Sequence, residues 1–254
     1  MLLVADIGNT QSVFGVYDAD RLLAHWRVST DASKTADEHA VLLRTLLDSA
    51  GIDPGRIDAV CISCVVPPMQ NALDEMSMNC FGVRPLMVGP GIKTGLSVLY
   101  DNPREVGADR IANAVAAYEE YGGPVIIVDL GTATTFCAVS ARGEYLGGAI
   151  APGLGASAEA LFSKAAKLPR VAFARPKTVI GKDTVSSIQS GLINGYTDLV
   201  DGMVRRVAAE LGGDPAVIGT GGVIDILAAE SSTIQHVDHL LTLKGLKIIY
   251  QKNL

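Results

Sequence analysis

Apolar residues arrive along this chain in short alternating or continuous runs broken by glycine, proline and small polar residues, with stretches of helical spacing between them. LLVA near the N-terminus reads as a strand that ends in Asp6-Ile7-Gly8; a small polar loop, a second alternating strand, the polar turn Asp18-Ala19-Asp20 and a third strand follow. Laid on itself without gaps at an offset of 123 residues, VADIGNTQSVFGVYDADRLLAHW falls on IVDLGTATTFCAVSARGEYLGGA. The second copy repeats the plan, with VIIV ending in Asp129-Leu130-Gly131 and a turn at Ala141-Arg142-Gly143. Both copies are meanders that open a half of the chain, and each leads into helical segments. In the first half, residues 36 to 50 place Ala40, Leu43, Leu46 and Leu47 at helical spacing, and Gly51 stops the run. IDAVCIS reads as a buried strand, Pro67-Pro68 open the next helix, RPLMVG is a further strand, and residues 104 to 121 form a helix between the halves. In the second half, 154 to 165 is helical and 166 to 181 is a loop punctuated by proline. Residues 184 to 211 form a long amphipathic helix on Ile188, Leu192, Leu199, Val200, Met203 and Val207. AVIGTGG runs from a strand into a glycine turn, and LLTLKGLKIIYQ is helical despite Gly245. Strands alternating with helices call for an α/β fold of duplicated mixed sheets covered by helices, divided into lobes at 1–115 and 116–254.

Composition agrees with two lobes: 254 residues, 48% hydrophobic and 19% charged, are enough to bury a large core and lie where chains begin to divide. The net charge of −6, with no basic run longer than Arg205-Arg206, argues against a nucleic-acid partner. MLLVADIGNT has no basic n-region or cleavage site, and no run approaches the roughly 18 apolar residues of a membrane helix. The expectation is a cytoplasmic protein without membrane association. Cys61 and Cys64 have ligand-pair spacing in CISC, but on a strand they point to opposite faces and no second pair completes a zinc site; with Cys80 and Cys137 they read as core residues. His25, His39, His236 and His239 are scattered without ligand spacing.

Asp6-Ile7-Gly8-Asn9-Thr10 and Asp129-Leu130-Gly131-Thr132-Ala133-Thr134 occupy the same tight turn of each half. Glycine lets the backbone approach a phosphate, turn N–H groups and hydroxyls donate to it, and the Asp can orient a hydrated cation. One such turn is weak evidence; two at matching places in a repeat, facing across a central cleft, would grip one polyphosphate. Val217-Ile218-Gly219-Thr220-Gly221-Gly222 adds small residues after a buried strand, where an adenosine and its α-phosphate could approach. Gly153-Leu154-Gly155-Ala156-Ser157-Ala158 fits GxGxxA, yet Pro152 interrupts the feeding strand and no acidic residue lies beyond to bind a ribose. Gly181-Lys182-Asp183-Thr184 is not a P-loop, because Asp183 stands where Ser or Thr should follow Lys. Tyr100 to Arg110 is dense in polar groups: Asp101 or Asn102 can cap, Pro103 fits a first turn, and Glu105 and Asp109 share a face at i, i+4. Two readings stay open there, a network neutralised by Arg104 and Arg110, or Asp109 as acceptor of the proton of an attacking hydroxyl.

The order DxGxT, DxGT, GTGG resembles the superfamily of acetate and sugar kinases, heat-shock chaperones and actin, with its actin-like (ribonuclease H-like) fold. DIGNT, CISCVVPP, NPREVGADRIANAVAA, VDLGTATT, APGLGASAEALFSKAAKLPRV, DTVSSIQSG and HLLTLKGLKIIYQKN together resemble type III pantothenate kinase over essentially the full length. The resemblance implies phosphorylation of the 4′-hydroxyl of pantothenate by ATP, the first step of coenzyme A synthesis. It places Asp6, Ile7, Gly8, Asn9, Thr10, Gln11, Ser12, Val13 and Thr132 at the nucleotide phosphates, with Gly221 and Gly222 at the nucleotide. Asp129 falls on a monovalent cation, K⁺ or NH₄⁺, beside the Mg²⁺ that accompanies ATP. Tyr100, Gly107, Ala108, Asp109, Arg110 and Thr184 fall at pantothenate, with Asp109 as the base, although Thr184 could equally cap its helix and Tyr100 be a half-buried aromatic. Cys64 departs from the serine of many relatives, away from any of these positions. The family pairs into homodimers, for which helices 104 to 121 and 184 to 211 are the candidate surfaces. A kinase of another small hydroxyl acceptor, or an actin-like regulator without catalysis, would keep the same phosphate hairpins.

Overall fold

The computed structural model describes residues 1–165 and 167–254. Strand β1 (Leu2–Ile7) pairs antiparallel with β2 (Gln11–Asp18), and β2 with β3 (Arg21–Ser29), the meander read from the sequence. On its other side β1 pairs in parallel with β4 (Ala59–Cys64), and β4 with the two-residue β5 (Leu86–Met87), giving the order β3-β2-β1-β4-β5. RPLMVG thus supplies a much shorter strand than its apolar run suggests, bounded by Pro85, which has no N–H for the ladder. Helix α1 (Ala36–Ser49) opens on a capping box between Thr35 and Glu38 and gives way to Gly51 at φ +68°. One 3-10 turn at Pro67–Met69 leads into α2 (Gln70–Phe81), which Gly82 ends in the left-handed conformation.

After the two-residue strand β6 (Ser97–Val98), the expected helix over 104–121 begins four residues late, as α3 (Ala108–Tyr121). Pro103–Glu105 is instead a 3-10 turn capped by Asn102, and Val106 is extended at φ −77° and ψ 123°. Glu105 and Asp109 therefore do not share a helical face; Asn102 Nδ2 donates to Glu105 at 2.7 Å, and no like-charge pair needs explaining. The second meander is β7 (Val125–Leu130), β8 (Ala133–Val139) and β9 (Glu144–Pro152), followed by α4 (Leu154–Lys164). Of the loop expected over 166–181, Ala166 lies outside the described residues. Helix α5 (Thr184–Leu211) has the predicted bounds, β10 (Ala216–Thr220) runs parallel to β7, and α6 (Ile224–Ala228), β11 (His236–Val237) and α7 (Leu241–Lys252) complete the chain. The second sheet, β11-β10-β7-β8-β9-β6, repeats the plan of the first, an antiparallel meander extended by parallel strands from its first member, and adds β6 in parallel to β9 on the other edge.

The chain separates into two compact units. One comprises Met1–Leu96, Asp101–Ala116 and Leu241–Leu254; the other comprises Ser97–Tyr100 and Ala117–Leu240. The expected cut at 115/116 departs from this in three places: β6 belongs to the second sheet, the cut passes through α3, and the C-terminal helix stays with the first sheet. In that first unit, Leu3, Ala5 and Ile7 pack with Leu43 and Leu47 of α1 and Leu73 and Met76 of α2, all buried. Each such side chain contributes about 1.5–3 kcal/mol. Val4 lies on the opposite face, where α7 covers the sheet with Leu243. Gly245 resolves the apparent helix breaker of the tail: a Cβ there would lie 1.9 Å from the Ala112 carbonyl oxygen, so α7 and α3 touch backbone to backbone. In the second unit, Ile126, Val128 and Leu130 pack with Ile193, Tyr196, Val200 and Val204 of α5. Among the described residues no helix is long and apolar enough to cross a membrane.

Candidate active site

In the first unit, β1 and β4 run parallel and end together at Ile7 and Cys64, the strand end where α/β sheets place their ligands. Gly8 to Gln11 close the β1–β2 hairpin, with the Gly8 N–H donating to the Gln11 carbonyl at 3.1 Å. A Cβ on Gly8 would stand 2.9 Å from that same oxygen, so the turn is as tight as the glycine predicts. Asn9, Thr10 and Gln11 are exposed, Ile7 and Ser12 buried, and Asp6 and Val13 half-buried. Strand alternation puts Asp6 on the Val4 face, the side covered by α7, against which α3 packs. Cys64, expected to lie away from the site positions, stands opposite Ile7 at this strand end and close enough to Asp6 that the carboxylate charge adds to the effect of burial in raising the thiol pKa. Cys61, fully buried, is pushed up to about 12, a thiol with no thiolate at neutral pH.

Asp109 sits at the start of α3. Its carboxylate accepts the Arg110 backbone N–H at 2.8 Å. Burial raises its pKa, against the lowering effect of that hydrogen bond and of the Arg110 charge. Arg110 is 6% exposed and Asp109 half-buried. Gly107 makes the fit possible: a Cβ there would lie 2.4 Å from Asp109 Oδ1 and 3.7 Å from Val65 Cγ1. Val65 in turn donates its N–H to the Ile7 carbonyl at 3.0 Å. Gly107 to Arg110 and the Asp6–Val13 hairpin therefore belong to one end of one sheet, joined through Val65.

The second unit repeats this end. β7 and β10 run parallel with Asp129 opposite Thr220. Gly221, at φ +102°, lies so close to the Leu130 peptide that a Cβ would be 2.6 Å from its carbonyl oxygen. Asp129, Thr132 and the Gly221-Gly222 turn are thus assembled at one place, with Gly222 and Thr132 exposed and Asp129 half-buried. The two hairpins differ by one residue. Ile7 pairs with Ser12 across four turn residues, whereas Leu130 pairs with Thr134 across three. Offset 123 holds for the first strands and for the third (Arg21–Ser29 and Glu144–Pro152), and the missing turn residue is restored before β9. Ser12 and Thr134, the equivalents by register, both bury their hydroxyls, at 3% and 0% exposure.

Tyr100 and Thr184, both in the second unit, belong to other parts of it. Tyr100 packs on Tyr145 with ring centroids 6.5 Å apart and covers Gly147. Thr184 opens α5 but does not cap it; Asp183 accepts the Ser186 N–H at 2.9 Å. Thr184 is exposed and lines an open groove of about 740 Å³ with Lys182, Ser187 and the apolar Leu161, Ile188 and Leu192. Among the described residues no three His, Cys, Asp or Glu side chains cluster as a metal cage. Single carboxylates at strand ends, Asp6 and Asp129, suit hard cations held mainly by phosphate oxygens and water.

The model of the type III pantothenate kinase family matches residues 2–206. A type III pantothenate kinase of Myxococcus xanthus is 56% identical over 253 residues, covering 100% of this chain and 99% of its own. This chain belongs to the type III pantothenate kinase family. Solved structures of low identity share the fold. A Baf family protein of Campylobacter jejuni is 18% identical with a TM-score of 0.60, covering 99% of this chain and 98% of its own. A ROK family glucokinase of Streptomyces griseus is 15% identical with a TM-score of 0.51, covering 98% of each chain. Membership of a kinase family brings ATP and a divalent metal with it. Sequence reasoning missed the groups beneath the turns, Thr30 under the first and Tyr196 under the second, where Thr134 Oγ1 and the Tyr196 hydroxyl are 2.7 Å apart. The signal was present as a hydroxyl residue at the second position of each strand, Ser12 in β2 and Thr134 in β8.

Proposed function

We propose that this chain transfers the γ-phosphoryl group of ATP to the 4′-hydroxyl of pantothenate, acting in the cytoplasm as a homodimer. Full-length similarity to a type III pantothenate kinase carries this reading. Asp6 to Val13 and Thr132 hold the nucleotide phosphates through turn N–H groups and hydroxyls, and Gly221-Gly222 leave room for the nucleoside. Asp6 and Asp129 are the carboxylates suited to Mg²⁺ and to K⁺ or NH₄⁺, which would neutralise phosphate charge when bound. Tyr100, Gly107, Ala108, Arg110 and Thr184 hold pantothenate. Asp109 accepts the hydroxyl proton as the oxygen attacks in line. Its raised pKa favours this role, since a carboxylate in a partly dry site is a stronger base than one in water. Most of the acceleration comes from positioning and charge neutralisation.

The test is direct detection of 4′-phosphopantothenate by mass after incubation with ATP, Mg²⁺ and pantothenate, with and without K⁺. Product matching ADP release, faster with K⁺, is the expected result. ADP formed only with a different acceptor from a panel, or no turnover at all, would refute the assignment.

A further inference from the structure

Thr30, the residue after β3, makes three bonds to the β1–β2 hairpin. Its N–H donates to the Thr10 carbonyl at 3.0 Å, its hydroxyl donates to the Gly8 carbonyl at 2.7 Å, and its Oγ1 lies 2.8 Å from Ser12 Oγ. Thr30 has one hydroxyl proton and gives it to Gly8, so Ser12 is the donor in the last contact. The relay runs Ser12 to Thr30 to the Gly8 carbonyl. The Ser12 proton is thereby committed beneath the turn, and its hydroxyl is not among those that face a ligand.

The relay also fixes a direction. The Gly8–Asn9 peptide is trans, so its C=O and N–H point opposite ways. With the Gly8 oxygen drawn toward Thr30, the Asn9 N–H is aimed away from Thr30, at the exposed side of the turn. The second half is built differently at the matching place. Gly153 stands at the repeat offset from Thr30 as Gly131 does from Gly8, donates its N–H to the Thr132 carbonyl at 3.1 Å, and would put a Cβ 2.4 Å from the Gly131 oxygen. Where the second hairpin has bare backbone against the turn, the first has a hydroxyl bond.

We propose that Thr30 is a positioning residue for nucleotide binding, holding the Gly8 carbonyl so that the Asn9 amide is set toward a phosphate oxygen. This rests on the reading that the Asp6–Val13 hairpin holds the phosphates, and the experiment separates the two. KM for ATP, KM for pantothenate, kcat and melting temperature are measured for Thr30→Val, Thr30→Ser, Ser12→Ala and Gly8→Ala. Thr30→Val leaves the Gly8 carbonyl without its partner and is expected to raise KM for ATP about tenfold or more, with KM for pantothenate within about twofold. Thr30→Ser keeps the hydroxyl and should restore most of the ATP affinity. If Thr30→Val does not fold, Ser12→Ala, which removes only the donor to Thr30, should raise KM for ATP by a smaller factor with pantothenate unaffected. Unchanged ATP affinity in Thr30→Val, or in Ser12→Ala when that is the variant in hand, overturns the proposal. So does an equal rise in both KM values with a lowered melting temperature. In either case a weakened Gly8→Ala leaves the hairpin reading standing, whereas unchanged ATP affinity in Gly8→Ala removes both.

Discussion

Gly153→Ala tests, with a single methyl group, the proposal that the Thr132 turn holds phosphate. Gly153 has φ −68° and ψ 160°, a conformation alanine adopts freely, so the substitution carries no backbone strain. The added Cβ would lie 2.4 Å from the carbonyl oxygens of both Gly131 and Thr132. Ordinary contact begins near 3.4 Å, so the turn or the start of α4 must retreat by about 1 Å. Both obstructing atoms are backbone in the hairpin that joins β7 and β8, and neither can swing aside as a side chain could. Overpacking of this kind costs about 1–3 kcal/mol. Moving Thr132 by the same distance is expected to lower kcat/KM for ATP about a hundredfold. Steady-state ATP titration at saturating pantothenate, with thermal melts, measures both effects. Gly155→Ala is the control: it lies two residues further on, in α4, and its Cβ would meet nothing within 4 Å, so it should leave kinetics unchanged and stabilise the helix slightly. Wild-type ATP kinetics in Gly153→Ala would refute the claim that the Thr132 turn positions the nucleotide.

Asp201→Asn should destabilise the protein by about 2–3 kcal/mol at pH 7. Burial alone would raise the Asp201 pKa, but hydrogen bonds from Ser231, Ser232 and Thr233 outweigh it and bring the carboxyl to about 2 from 3.8. A depressed folded-state pKa gives stability that is present above pH 3.8 and lost as pH falls toward 2, so the difference between wild type and variant should roughly halve by pH 3 in urea melts. An unchanged difference from pH 7 to pH 3 would show that the charge is not what holds the 231–233 loop. Gly245→Ala should lower the melting temperature sharply, because its Cβ meets the Ala112 carbonyl at 1.9 Å; a wild-type melt would mean that α7 and α3 do not touch there.

Much of the fold was legible because the two periodicities seldom compete. Helix α5 took its expected bounds, since Asp183 caps it and Gly212, at φ +76°, ends it, both local signals. The repeat announced two matching sheets, but a gap-free alignment hid the shorter second turn, because insertion and deletion cancel between β7 and β9. Residues 104–121 misled for a physical reason: a 3-10 turn and an α-helix share proline and capping preferences at their starts, and only Gly107, packed against Asp109 and Val65, marks the break. The C-terminal helix packs on the first sheet through contacts distant in sequence, which no local pattern records. The two tight turns proposed to hold phosphate could be found from DIGNT and DLGT alone. Their supports, half-buried Thr30 and buried Tyr196, lie outside both motifs and needed the coordinates.

The central claim is that Asp109 takes the proton of the attacking hydroxyl, and Asp109→Asn assayed for both turnover and nucleotide binding tests it most directly. The amide preserves shape and cannot accept that proton, so kcat should fall by about 10²–10⁴-fold while ATP affinity and melting temperature stay near wild type. Turnover at the wild-type rate in a folded, ATP-binding Asp109→Asn protein would contradict the account.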